Sequence, residues 1–320
     1  MITVMGEALI DLDLASDDET VQAIPGGSAL NIAVGAARLG YPAALMARIS
    51  RDPFGELLRR YAIRNGVDLS AAPDADEPTA IAVAPGDAGR RPADAGVYSA
   101  AAAGWQWTSD ELSWIPAATT VLHVGSLAWS AAPSATRVLR AAGRVRQRGA
   151  LVCMDLKVHP EVMGTPGRGH ILLERAFKLA DVVRASIEDI SWMYPERAPE
   201  AVAEQWLRLG PGLIVVTCGP SGAMAIRGSG SVLHRPAYPA EVIDTAGVGD
   251  AFTAALLGAM YRLGDEGKTP RALSAHDLAE VLDAAILAAA MTSERPGADP
   301  PTATELHARK HRHSCAAARD

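Results

Sequence analysis

At 320 residues, 49% hydrophobic but only 5% aromatic, the chain is long enough for a large core filled mainly by Ala, Val and Leu. Its formal net charge of −7 argues against non-specific binding to nucleic acid or a membrane surface. Three cysteines with no close pairing (Cys153, Cys218, Cys315) exclude a disulfide framework and a zinc site. They suit a reducing compartment. The first dozen residues lack the basic start of a signal peptide, and no apolar run approaches the ~20 residues of a membrane helix. The expectation is a cytoplasmic protein, either two domains or one large α/β domain with an insertion.

Ile2-Thr3-Val4-Met5 predicts a short buried strand ending at Gly6. Asp11 follows it, in the region past a strand end where open α/β sheets bind ligands. The plainer reading of Asp11 is a solvated loop acid. Pro25-Gly26-Gly27-Ser28 predicts a turn, with Ser28 capping a helix from Ala29 to about Leu39. Gly26 and Gly27 allow a ligand to approach the backbone, and the Asn31 amide can offer a polyol both a donor and an acceptor. Otherwise they are a flexible entry loop and a surface amide. Small residues (Ala33, Gly35, Ala36, Ala37) fit that helix for close packing on a sheet.

Residues 43–49 predict a strand, and Pro53 to Asn65 a helix stopped by Gly66. Strand-like runs at 79–84 and 96–100 flank a polar loop carrying Arg90 and Arg91, which predicts a hairpin leaving the main sheet. With residues 11–24 it forms a small β-lid spanning 11–24 and 73–101, the rest being one main domain (1–10, 25–72, 102–320). A mobile cover of this kind excludes water from a reacting site.

From residue 119 the alternation is regular. Strands at 120–125, 150–155, 181–185 and 213–218 alternate with helices at 133–148, 168–179, 186–193 and 199–209. Such βα units predict a mostly parallel sheet with helices on both faces. Short strands follow at 222–227 and 231–236, then a long Ala-rich helix from 272 to about 294. The segment His307 to His313 reads as part of a mobile, solvated tail over 303–320.

Before that last helix stands Asp244-Thr245-Ala246-Gly247-Val248-Gly249-Asp250-Ala251-Phe252, a glycine turn opening directly into an apolar helix. The unpaired first-turn amides and the positive end of the helix dipole make a place for phosphate. An acid there repels phosphate unless it has a task, and taking a proton from an attacking hydroxyl is such a task. The competing reading makes Asp250 a simple N-cap.

Together these stretches resemble the ribokinase-like carbohydrate kinases of phosphofructokinase-B type, most closely the bacterial fructokinase branch. The likeness rests on Gly26-Gly27-Ser28-Ala29-Leu30-Asn31 continuing to Gly40, and on Asp244 to Phe252. The resemblance implies that Asp11, Gly26, Gly27 and Asn31 bind sugar hydroxyls. Gly247, Val248 and Gly249 become an anion hole and Asp250 the general base. Thr217-Cys218-Gly219-Pro220-Ser221-Gly222 is similar to the family's nucleotide loop, assigning Thr217, Gly219 and Gly222, with Ser186, to ATP. Asp244 matches a monovalent-cation site, implying possible K⁺. Tyr98, with Trp105 and Trp107, supplies aromatics on the lid side, Tyr98 being assigned to the substrate. Lids of this type often build a homodimer.

Two departures stand out. The family's Asn-x-x-Glu, which orders the Mg²⁺–phosphate water shell, appears as Ser186-Ile187-Glu188-Asp189, leaving Asp189 to reach Mg²⁺ through water. Asp155-Leu156-Lys157-Val158-His159 replaces the branch's Asp-x-Asn-x-Arg. The missing guanidinium weakens the case for an acid-sugar substrate. Lys157 offers a compact charge instead, unless it and His159 are only surface residues. The resulting expectation is an ATP-dependent kinase acting on a hydroxymethyl of fructose or a related ketose. The alternatives are a kinase for ribose, a nucleoside or 2-keto-3-deoxygluconate, or a non-catalytic sugar-binding homologue. A dinucleotide oxidoreductase is disfavoured, since Gly6-Glu7-Ala8-Leu9 is no Gly-x-Gly-x-x-Gly.

Overall fold

The computed structural model describes residues 1–15, 21–86, 96–98, 102–228 and 230–317. The chain opens with β1 (Ile2–Met5), β2 (Leu9–Ala15) and β3 (Val21–Gly26), then enters α1 (Ser28–Arg38). Next come β4 (Ala43–Met46), β5 (Ile49–Ser50), α2 (Pro53–Arg64), β6 (Asp74–Ala75), β7 (Ala80–Gly86) and β8 (Gly96–Tyr98). The alternating part holds β9 (Val121–Val124), α3 (Ser126–Ser130), α4 (Ala135–Gln147), β10 (Leu151–Leu156), α5 (Pro160–Met163) and α6 (Pro166–Phe177). It continues with β11 (Val182–Ser186), α7 (Ile187–Met193), α8 (Pro199–Leu207), β12 (Leu213–Thr217), β13 (Ala223–Arg227) and β14 (Ser231–Arg235). Helices α9 (Val248–Asp265), α10 (Ala275–Ser293) and α11 (Ala303–Ala317) close the chain.

Among the described residues the main sheet runs β14-β13-β12-β11-β10-β9-β1-β4. It is parallel from β4 to β12, and β13 and β14 are antiparallel. The two-residue period of the strands divides the core. Val121, Cys153, Val182, Leu213 and Val215 face the side covered by α1, α9 and α10. Leu122, Val152, Met154, Val183 and Ile214 face the other side, with Val138, Phe177 and Trp206 from α4, α6 and α8. Burial on both faces explains the near-continuous apolar runs in the sequence. No helix among the described residues is long and apolar enough to cross a membrane.

The small second sheet has the order β3-β2-β7-β8. β2 pairs antiparallel with β3 and parallel with β7, and β7–β8 is antiparallel. Its edges differ from the expected 11–24 and 73–101. β2 starts at Leu9, β3 reaches Gly26, and β6 pairs with β5 instead of joining the lid. Asp11 therefore lies on a strand, 8% exposed, not in a solvated loop. The alternation Ile-Asp-Leu-Asp-Leu is the strand signal there. Arg90 and Arg91 lie outside the described residues, as do the Tyr98 and Trp105 side chains. Trp107 is no lid aromatic; it is 1% exposed in the core.

The expected mobile tail is instead a helix over most of its length. Glu305 accepts from the Thr302 amide at 2.7 Å and its own amide donates back to Thr302 Oγ1 at 3.3 Å, a capping box for α11. Arg309 binds Glu294 at 2.8 Å and Arg295 binds Glu305 at 2.7 Å, joining α11 to the end of α10.

Candidate active site

Helices α1 and α9 begin at the same, carboxyl, end of the sheet and run side by side. A Cβ built on Gly35 would stand 2.7 Å from the Ala254 Cβ, so glycine and alanine here let the two backbones come close. One turn back along each helix the same seam brings Asn31 to Asp250. The Asn31 amide donates to Asp250 Oδ2 at 2.8 Å, and the Ser28 hydroxyl donates to Oδ1 at 2.6 Å. Residues 219 or more positions apart thus share one carboxylate. Ser28 does not cap α1 as expected. The N-cap is Gly27, at φ 98°, and the Ser28 hydroxyl is turned to Asp250.

Gly27 sits where a Cβ would meet the Glu7 carbonyl at 2.8 Å, and the Ser28 amide donates to Glu7 Oε1 at 3.1 Å. Gly26 faces Asp11, whose Oδ2 would be 2.2 Å from a Cβ at that position. The loop predicted to grip a polyol therefore lies between two buried carboxylates, Asp11 on the lid and Glu7 after β1. Burial raises the Glu7 pKa, with Lys157 and the Ser28 amide opposing.

α9 starts at Gly247 in the left-handed region (φ 69°, ψ 0°), with no side-chain cap. A Cβ there would stand 2.5 Å from the Ala298 Cβ, so only glycine fits without movement. Asp244 anchors this turn by accepting from the Ala246 amide at 2.9 Å and the Gly297 amide at 2.7 Å. Val248 N reaches the Thr245 carbonyl only at 3.4 Å, and Ala251 N bonds Gly247 O at 2.8 Å. Among the described residues the Gly249 and Asp250 amides have no acceptor. These donors, at the positive end of an 18-residue helix, are set for an anion.

The sheet supplies the floor. Residues two positions beyond Cys153, Val182 and Val215 face α9 at the strand ends; they are Asp155, Arg184 and Thr217. Arg184 donates through Nη1 to Asp155 Oδ1 at 3.3 Å and through Nη2 to Thr217 Oγ1 at 2.8 Å. Burial raises the Asp155 pKa and the Arg184 guanidinium works against it. Removing one partner of such a buried pair costs about 3–5 kcal/mol. Desolvation lowers the Lys157 pKa, but the carboxylates of Asp250, Glu7 and Asp155 outweigh it and leave the pKa raised. His159 is half-buried. His123, one pleat below the floor, is pushed by burial to about 4 and is neutral.

Next to the α9 N-terminus opens a cavity of about 510 Å³. Ser186, Thr217, Gly219 and Gly222 line it, with Val248, Gly249 and Arg184 at one end and Tyr238, Val242 and Ile286 among its apolar walls. A larger hollow of about 740 Å³ lies at the opposite rim, near Thr120, Leu151 and Asp181, away from every motif residue. Parallel sheets bind ligands at the carboxyl ends of their strands, which favours the smaller cavity. Ser186 and Asp189 form a capping box on α7, and Asp189 gives one oxygen to the Ser186 amide at 2.8 Å and the other to the Val158 amide at 2.7 Å. The carboxylate of this segment that lines the cavity is Glu188. Among the described residues no group of three or more His, Cys, Asp or Glu could hold a metal by itself.

The structure thus sets Asp11 against Gly26, puts Asn31 and Ser28 on Asp250, and gathers Ser186, Thr217, Gly219 and Gly222 around one cavity. Glu7, Arg184 and the Ser28–Asp250 bond were not among the features expected from the sequence. A charged residue inside the apolar run Val182-Val183-Arg184-Ala185 was the available signal for Arg184, since such a residue is buried only with a partner.

Residues 1–305 match the description "pfkB family carbohydrate kinase". A fructokinase of Klebsiella pneumoniae is 33% identical over 262 residues, covering 81% of this chain and 84% of its own. A double mutant of Vibrio cholerae fructokinase, solved with fructose, ADP and potassium ion bound, superposes with a TM-score of 0.82 at 25% identity, over 96% of this chain and 97% of that one. Aminoimidazole riboside kinase from Salmonella enterica, complexed with aminoimidazole riboside and an ATP analog, gives a TM-score of 0.83 at 23% identity, over 96% and 98% of the two chains. The fold is ribokinase-like: a large, mostly parallel α/β sheet with a small separate sheet.

Proposed function

Since this chain belongs to the pfkB family of carbohydrate kinases, phosphotransferases that act on a sugar hydroxyl, we propose that it uses ATP to phosphorylate a hydroxymethyl group of a small ketose, fructose first. The reading is carried by the two hydrogen bonds that Asp250 accepts from Ser28 and Asn31, which join the sugar loop to the phosphate turn. Asp250 takes the hydroxyl proton as the sugar oxygen bonds to the γ-phosphorus. The bond from that phosphorus to the bridging oxygen breaks, and ADP leaves with the electron pair. The amides of Gly247, Gly249 and Asp250, with that of Val248 in only a long 3.4 Å contact to the Thr245 carbonyl, stabilise the charge on the transferring group from fixed positions. Asp11, Gly26, Gly27 and Asn31 hold the sugar. A deoxy analogue that leaves a buried partner unpaired loses about 1–3 kcal/mol per group.

ATP lies along Thr217, Gly219 and Gly222, beside Ser186. Mg²⁺ bound with the nucleotide would neutralise its phosphates, largely through its water shell. Glu188 is the carboxylate best placed to meet that water shell, because it lines the nucleotide cavity and Asp189 does not. Asp244, with the backbone near Ala246, is the proposed monovalent-cation site. Homodimerisation through the lid is favoured by the exposed outer strand at Val21, Gln22 and Ala23.

The experiment is a panel of acceptors with ATP and Mg²⁺, read by ADP release. Fructose or another ketose should exceed ribose, nucleosides and 2-keto-3-deoxygluconate in kcat/KM. A riboside or acid sugar at the top would overturn the ketose assignment. Sugar binding without ADP formation from any acceptor would make the chain a silent homologue.

A further inference from the structure

The turn and loop motifs leave unassigned the cation that faces the α9 N-terminus from the sheet. We propose that Arg184 is a further catalytic residue, donating to the terminal phosphate of the nucleotide from below while the α9 amides hold the same group from above. This rests on the kinase reading given above.

Arg184 belongs to the wall of the nucleotide cavity, together with Thr217, Val248 and Gly249. Its Nη2 lies 3.1 Å from where a Cβ on Gly249 would be. Beyond the chain neighbours and the helix's own backbone, the three atoms nearest that point all belong to the guanidinium. The group is held from behind, by Asp155 at 3.3 Å and Thr217 at 2.8 Å, with its side chain 11% exposed. Its Nε is buried and has no partner among the described residues.

A guanidinium has more donors than Asp155 and Thr217 occupy, and its planar fork suits phosphate oxygens. As a strut alone the pair would be poor design, because a buried ion pair is often no more stabilising than apolar residues of the same shape. Asp155 instead acts as a positioning residue, fixing the fork and keeping it aimed. Glu7, Asp155 and Asp250 make the cleft acidic, and a triphosphate entering it needs cations. Arg184 supplies one at the point where charge accumulates during transfer. It takes no proton and forms no bond.

The test uses the full chain carrying Arg184→Gln and Arg184→Lys, with the best acceptor from the panel. Calorimetry gives the affinities for ATP and ADP, and steady-state kinetics gives kcat. Loss of the group should lower kcat by about 10²–10³-fold. It should also weaken ATP by at least about tenfold more than ADP, as expected of a contact to the terminal phosphate. Lysine should restore part of both. A folded Gln variant within about threefold of the parent kcat, or one that loses ATP and ADP equally, would overturn the proposal and leave Arg184 a support for Asp155. If the single variant does not fold because Asp155 is stranded, the double variant Asp155→Asn, Arg184→Gln carries the same measurements. If the parent phosphorylates no sugar at all, the function reading fails on its own account. The difference between ATP and ADP affinity still decides Arg184.

Discussion

Helices α9 and α10 pack against each other and both carry an aspartate in the first turn, yet they begin in opposite ways. α10 starts at Ser274, whose hydroxyl accepts from the Asp277 amide at 3.0 Å while Asp277 accepts from the Ser274 amide at 2.9 Å. Its acid is turned back on its own helix. α9 starts at a left-handed glycine with no cap, and its acid points outward to two donors from α1. α7 and α11 side with α10, each with a capping box. α1 sides with α9, starting at another positive-φ glycine. An acid used by its own helix is architecture. An acid at an uncapped start, held by a different element, is a site.

The comparison predicts where charge loss matters most. Asp250→Asn should lower kcat by ~10²–10⁴-fold while ATP affinity and melting temperature stay near the parent's. Turnover within a few-fold of the parent would show that Asp250, like Asp277, is only architecture. A smaller effect is expected from Gly35→Val, which touches no substrate. Its Cβ alone would collide with Ala254, spreading α1 from α9 and lengthening the Asn31–Asp250 bond one turn away. A misplacement of about 1 Å can cost ~10²-fold, so kcat/KM should fall by about 10–100-fold. Adding Ala254→Gly should recover most of it. Failure of that rescue would mean that the seam does not set the geometry.

How legible this was in the sequence depends on the range of the interaction. The parallel sheet was readable because each strand is apolar on both faces and each helix has its own period. The phosphate turn was readable because glycine, glycine and acid within four positions carry their chemistry locally. Arg184 was not, because its meaning lies in Asp155 and Thr217, on neighbouring strands. Ser28 looked like a cap because Ser before a helix usually is one; the partner that overrides this habit is 222 positions away. The α11 helix was missed for a different reason. Its basic composition suggested a tail, although Thr302-Ala303-Thr304-Glu305 spells a capping box outright.

The smallest expected effect falls on the other side of the comparison. Ser274→Ala removes the cap of α10 and should destabilise the fold by about 1 kcal/mol in chemical denaturation. It should leave kcat and KM unchanged, because α10 turns its start away from the cleft. Acid sharpens the point. Lys268 foremost, then the Ser274 hydroxyl and amide, hold the Asp277 pKa well below the aspartate range. A carboxyl depressed on folding stabilises fully above its unfolded pKa of about 3.9 and loses that contribution as pH falls towards the folded value. The Ser274→Ala variant lacks part of this depression. Its stability gap to the parent should therefore be constant from neutral pH down to about 5 and shrink below about 4. A gap that grows in acid would mean that Asp277 is not the group linked to Ser274, and that α10 is capped by something other than its own first turn.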